Sequence, residues 1–307
     1  MTNASLLLLA GVFLLGCGAA RPTNQAAQQA GEPTAPLPWN TQADRQNCPV
    51  SSDAVWVAYR QGQDCIRYFA GGQLEGAPVA LVVLRGDRDR LSRRRPEDIR
   101  ANTAREQEAI AERLAQQAGV PVLVVARPGT YGSSGNHAER RQQREFLALN
   151  AAFDAIRARH RIGRFIVFGH SGGATAAAAL LTMGRTDISC AVLTSGAYSL
   201  IERARMVRAQ QGRQQRRGLD LTGLPSPYDP LDHVGGVVRD QTRMVFVIGN
   251  EKDRVTPFIL QRKFAEALRR RGHKVRVINH PAIGPSFHDL KDGVGMKTAT
   301  DCARGAM

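Results

Sequence analysis

The 307-residue chain contains no His-Glu-X-X-His segment, no Cys-X-X-Cys pair and no P-loop. The signatures of zinc hydrolysis, thiol redox chemistry and nucleotide binding are therefore missing, and neither a metal nor a cofactor is expected. Aromatic residues make up only 6% of the chain, too few to interleave with a basic groove as single-stranded nucleic acid requires, so nucleic-acid binding is not expected. No apolar run approaches the roughly 20 residues that cross a bilayer as a helix. No internal repeat is evident.

What comes nearest to a membrane signal is the short run Leu6–Leu15, which reads as the h-region of a signal peptide although the preceding MTNAS holds no Lys or Arg. It leads into Leu14-Leu15-Gly16-Cys17, which resembles the bacterial lipobox. That resemblance implies cleavage before Cys17, a diacylglyceryl group on its thiol, and a place in the cell envelope, lipid-anchored and periplasm-facing, or else secretion. A plain signal peptide cut near Ala19-Ala20 is the alternative. Residues 18–46 mix Pro, Gln, Ala and Thr with almost no periodic apolar content and read as a flexible tether. The expected division is a signal peptide over 1–16, a lipidated Cys17 and tether over 17–46, and one folded domain over 47–307.

With Cys17 assigned to lipid, four cysteines remain, and in an exported chain four suggest two disulfides with three possible connectivities. Cys48–Cys65, stapling an N-terminal hairpin, and Cys190–Cys302, tying the tail to a sheet, is the preferred pairing. The 42 Lys and Arg against 27 Asp and Glu give a formal charge of +15, most of the excess being Arg spread over helices and loops. This reads as a solvated surface, one that could also lie against anionic phospholipid or envelope polymers.

Apolar runs of strand length alternate with segments of helical period, which predicts an α/β class with a mostly parallel sheet flanked by helices. AVWVAY (54–59) and CIRYFA (65–70) predict an edge hairpin, followed by strands VALVVL (79–84), VLVVA (122–126), FIVFG (165–169), CAVLTS (190–195), MVFVIG (244–249) and VRVIN (275–279). Helices are expected near 97–118, 137–160 and 257–271, and directly after residue 173. The stretch 197–240 is longer than one crossover helix needs and predicts a small lid.

The strand FIVFG runs straight into Gly169-His170-Ser171-Gly172-Gly173 and then an Ala-rich helix. A serine at such a strand-to-helix turn has its hydroxyl exposed beside a helix N-terminus, whose N–H groups favour a developing oxyanion; the glycines avoid collisions across the turn. Over residues 50–300 the chain resembles the α/β-hydrolase superfamily, and the resemblance implies Ser171 as nucleophile with a later acid and a still later His. Asp253, in Asn250-Glu251-Lys252-Asp253-Arg254-Val255-Thr256-Pro257, matches the family's acid loop; Glu251, Asp229 and Asp232 are alternatives. His288 in Phe-His-Asp matches the base, with His280 as runner-up. Arg85-Gly86-Asp87 stands where family members carry an oxyanion donor, so Gly86 or Asp87 joins Gly172 in that role. His170 and, from the Arg127–Gly135 loop, Tyr131 are expected to line the pocket.

The basic half of the lid, IERARMVRAQQGRQQRRG, would suit an anionic acyl group, a peptide carboxylate or a polymer if its arginines faced the cleft, whereas a solvated helix face is the plainer reading. The expected activity is ester hydrolysis of a small-molecule or peptide acyl substrate by a Ser-His-Asp triad. A peptidase or amidase resembling prolyl-oligopeptidase relatives is the second reading, and an envelope scaffold without turnover the third.

Overall fold

A computed structural model describes Met1 and residues 33–305. The expected signal peptide and the lipidated Cys17 lie outside the described residues. Among those residues no helix is long and apolar enough to cross a membrane.

Eight strands form one sheet: β1 (Ala54–Tyr59), β2 (Gly62–Gly71), β3 (Val79–Leu84), β4 (Val122–Val125), β5 (Arg164–His170), β6 (Ile188–Thr194), β7 (Met244–Gly249) and β8 (Lys274–Asn279). Their order is β1-β2-β4-β3-β5-β6-β7-β8, with β1/β2 and β2/β4 antiparallel and the rest parallel. The described residues form six α-helices, five between strands, α1 (Ala104–Ala118), α2 (Gln143–His160), α3 (Gly172–Thr182), α4 (Leu200–Gln210) and α5 (Phe258–Arg270), and α6 (Val294–Ala303) after β8. The central strands are apolar at nearly every position because helices cover both faces. One core packs α2, α3 and α5 on one face, and the other packs α1 and α6. The run of small residues in α3 is entirely buried, which lets that helix lie close against the sheet.

Two expected helices begin later than their sequence pattern suggests. After a single turn at Pro96–Asp98 the chain breaks at Ala101 (φ 56°), and α1 starts behind the Thr103–Glu106 capping box. The break frees Asn102, which accepts from the Trp39 indole at 2.8 Å and donates to the Leu37 carbonyl at 2.8 Å. Likewise the chain turns at Arg141 (φ 68°) between the turn His137–Glu139 and α2.

The same contacts move the expected tether boundary at 46. Leu37 and Trp39 are buried in the α1 face, with Trp39 9% exposed and its ring 4.7 Å from that of Tyr131. Residues 36–41 are thus part of the domain, since burial of both Leu37 and Trp39 adds to the hydrogen bonds this segment makes with Asn102, Gly129 and Gly132 and offsets the entropy of ordering it. Both expected disulfides are formed, Cys48–Cys65 beside the hairpin and Cys190–Cys302 between β6 and α6. Such bonds persist in oxidising compartments.

The stretch 197–240 folds onto the domain rather than standing off it. The Leu200 N–H donates to the Asp229 carboxylate at 2.5 Å, fixing the start of α4. Tyr228 is buried, its hydroxyl 3.0 Å from that of Thr182. The arginines of its basic half divide: those at 213, 216 and 217 are exposed, whereas Arg203 and Arg208 are buried. A wholly solvated helix face is therefore not what forms.

Candidate active site

The strand order reverses at β3, since its crossover to β4 goes one way and the chain then returns to β5 on the other side. The crevice outside the carboxyl ends of such strands is where open α/β sheets place their ligands. Ser171, at the end of β5, has φ 54° and ψ −121°, a backbone strained for any residue with a Cβ. The turn that enforces this is packed without slack: a Cβ at Gly173 would collide with the Leu84 carbonyl, and one at Gly172 with the Asp87 carboxylate.

His288, in the loop after β8, places Nε2 2.9 Å from Ser171 Oγ and Nδ1 3.0 Å from Asp253 Oδ2. Asp253 follows β7, and its side chain is fully buried. It accepts from the N–H groups of Val255 at 2.8 Å and Thr256 at 2.9 Å, and the Thr256 hydroxyl lies 2.8 Å from Oδ2. With three such contacts besides the imidazole, the carboxylate has one orientation to offer. The loop carrying His288 is pinned where the Ser195 hydroxyl donates to the His288 carbonyl at 2.8 Å. The structure thus brings Ser171, His288 and Asp253 into one hydrogen-bonded line.

The alternatives lie elsewhere. His280 has its ring 4.0 Å from Asp292, Glu251 and Asp232 are exposed, and Asp229 is bound to the start of α4. His170 stands beside His288, ring centroids 5.2 Å apart, with Asp289 at 3.3 Å and Thr194 Oγ1 at 3.2 Å. Tyr131 departs from expectation. It is 6% exposed, wedged between Trp39 and the Arg85 guanidinium, and supports the Arg85-Gly86-Asp87 loop from within the core. A cavity of about 580 Å³ lined by Asn40, Asn136, Arg140 and Glu145, among others, does not include Ser171 or His288.

Asp87 sits directly beside Gly172, where a bare carboxylate would oppose a developing oxyanion. Its charge is not bare. Arg127 Nη1 lies 2.9 Å from Oδ1, Arg141 is bound to Oδ2, and Arg140 Nε is 3.4 Å from it. Burial alone would raise the Asp87 pKa, but Arg141, Arg127 and Arg140 together hold it well below the usual carboxylate range. Glu145 pairs with Arg127 at 2.6 Å, and Asp220 lies 3.4 Å from Arg141. Sequence reasoning missed this network; its one local trace is that Arg127 follows a buried strand. The backbone N–H of Asp87 donates to no acceptor among the described residues.

Two histidines beside the site, His137 and His170, resist protonation. Burial and then the charge of Arg127 push the His137 pKa down to about 3, and the Arg88 N–H donates to its Nε2 at 3.0 Å. Burial and then the charge of His288 bring His170 down to about 4. An unfolded histidine titrates near 6.5, so between that value and these folded ones the unfolded chain binds the extra protons. The stability they contribute is complete above pH 6.5 and is lost as pH falls toward 4 and then 3. Asp229, raised to about 7 mainly by burial, acts oppositely: its contribution is complete below the ordinary value of 3.8 and is lost as pH rises toward 7. The His137 term alone amounts to about 2 kcal/mol between pH 7 and pH 5. Thermal melts at both pH values should show a smaller acid-induced drop for His137→Gln than for the native chain. An equal drop in both would contradict the assignment.

No protein-family model matches the sequence, and no curated protein does either. Solved structures do match. An esterase of Pyrococcus furiosus superposes with a TM-score of 0.55 at 13% identity, covering 87% of this chain and 95% of the other. Est1E of Butyrivibrio proteoclasticus gives 0.52 at 13%, covering 83% and 98%. An acylaminoacyl peptidase of Pyrococcus horikoshii gives 0.51 at 14%, covering 83% of this chain and 40% of that one. At such identities the likeness is one of architecture, and together with the strand order it places this chain in the α/β-hydrolase fold.

Proposed function

We propose that the protein is a serine hydrolase that cleaves carboxylic esters through an acyl-enzyme. The observation that carries this reading is the unbroken line from Ser171 Oγ through His288 to the buried Asp253, on a serine held at φ 54°. Ser171 attacks the ester carbonyl as His288 Nε2 takes its proton, and Asp253 holds Nδ1–H and stabilises the imidazolium. The N–H of Gly172, at the start of α3, receives the oxyanion together with that of Asp87 or Gly86. The Arg-bound state of the Asp87 carboxylate favours Asp87 as the second donor, since its charge is already neutralised. His288 then returns the proton to the leaving alkoxide, and water repeats the sequence to release the acid.

The two disulfides accord with an exported protein, and the same reading puts it in the envelope, anchored through Cys17. A fluorophosphonate probe should label the native chain and not Ser171→Ala. Short-chain p-nitrophenyl esters should be hydrolysed at least tenfold faster than aminoacyl anilides. Faster anilide cleavage would move the activity to a peptidase, and absence of labelling in folded protein would point to a scaffold.

A further inference from the structure

Arg203 differs from the other buried arginines of the domain. Arg127, Arg141 and Arg185 are bound to carboxylates, and Arg208 and Arg243 spend both terminal nitrogens on backbone carbonyls. Arg203, on α4, is 5% exposed, yet among the described residues no carboxylate lies within 4.0 Å of it. Its Nε donates to the Val255 carbonyl at 2.8 Å, two residues beyond Asp253. Among the described residues no hydrogen bond occupies Nη1 or Nη2, and neither nitrogen is completely enclosed. The charges of Arg141, Asp87, Asp220 and Asp253 all act on the guanidinium. Val255 stands in the loop that follows β7, so the guanidinium lies against the loop that carries Asp253.

Leaving a buried guanidinium half-engaged is costly unless something else completes it. Nothing in the surrounding network has a charge to spare. Asp87 and Asp220 are committed to Arg141, and Asp253 to His288. Burial and then the like charge of Arg141 lower the Arg203 pKa to about 9, which still leaves it cationic at neutral pH. Two free, parallel N–H donors on a desolvated cation match the two oxygens of a carboxylate.

We infer that Nη1 and Nη2 of Arg203 bind a free carboxylate of the substrate, so that the preferred esters are anionic, such as half-esters of dicarboxylic acids. This rests on the serine-hydrolase reading of Ser171. The formal +15 of the chain would also draw such substrates toward the site.

The test compares monoethyl with diethyl esters of succinate, glutarate and adipate. A desolvated two-pronged contact predicts a kcat/KM ratio favouring the best monoester by about 10- to 100-fold, most of it in KM. Arg203→Gln should bring that ratio to 1 or below. Arg203→Lys, which keeps the charge without the fork, should retain only part of it and serves if the Gln variant does not fold. Binding of the free dicarboxylates to full-chain Ser171→Ala, followed by calorimetry, reads the subsite without turnover and separates its failure from that of the hydrolase reading. Saturable binding lost in the Ser171→Ala/Arg203→Gln double variant supports the inference. A ratio at or below 1 for all three pairs, a preference undiminished by Arg203→Gln, or no dicarboxylate binding overturns it.

Discussion

Ser171→Ala is expected to lower kcat for ester hydrolysis by about 10⁵- to 10⁶-fold, with His288→Ala close behind, while the fold survives. The reason is the geometry of the hydrogen-bonded line. Ser171 Oγ has one base, at 2.9 Å, and that base has one carboxylate, at 3.0 Å. Asp253→Asn should cost about 10⁴-fold, because an amide in that position offers Nδ1 a donor and selects the wrong imidazole tautomer. The effects should not add: residues that act as a unit leave little for the second change to remove, so Ser171→Ala/His288→Ala should be no worse than about the worse single variant. His280→Ala should stay within about threefold of the native rate, as its ring faces Asp292. Single-turnover and steady-state rates on one ester decide the matter. Residual activity within tenfold of native for Ser171→Ala, or full additivity, would remove the triad from the account.

Asp87→Asn should destabilise the domain by about 3–5 kcal/mol, the usual cost of taking one partner from a buried ionic cluster. Asp87 is the carboxylate that Arg127, Arg140 and Arg141 share. Without its charge, those three retain only Glu145, Asp220 and the half-exposed Asp89. In a domain of this size the change corresponds to a fall in Tm of roughly 6–15 °C. Asp89→Asn is the contrasting case. Its side chain is 45% exposed and meets only Arg140, so less than about 1 kcal/mol should be lost. Replacing Arg141 by Met in the Asp87→Asn background should recover part of the loss, since two charges are then removed together. Calorimetric melts that place Asp87→Asn within a degree of native would show that solvent, rather than Asp87, balances the arginines.

The sheet was legible because its signal is local. VALVVL and MVFVIG are strands at the residues their apolar runs mark, and FIVFG needed only Arg164 and His170 added. The helix starts were less so: Ala101 and Arg141 leave the helical region for reasons that lie across space, where Asn102 meets Trp39 and Arg141 meets Asp87. At the site, the proximity of Ser171, Asp253 and His288 could be read because each stands in the first loop after its own strand. The charge network could not. Asp87, Arg127, Arg141 and Asp220 come from four separate segments, and composition records only that arginine is abundant. Leu37 and Trp39 were hidden for a related reason, since two apolar residues among prolines show no period.

Cys190–Cys302 spans 112 residues and closes a ring that holds Asp253 and His288 but leaves Ser171 outside. The exposed Arg-rich stretch 211–218 also lies within that ring. A trypsin-like cut there severs the backbone between the serine and both of its helpers, yet the two pieces remain one covalent molecule, joined at the sheet itself. Reduction, not proteolysis, is what would let them part.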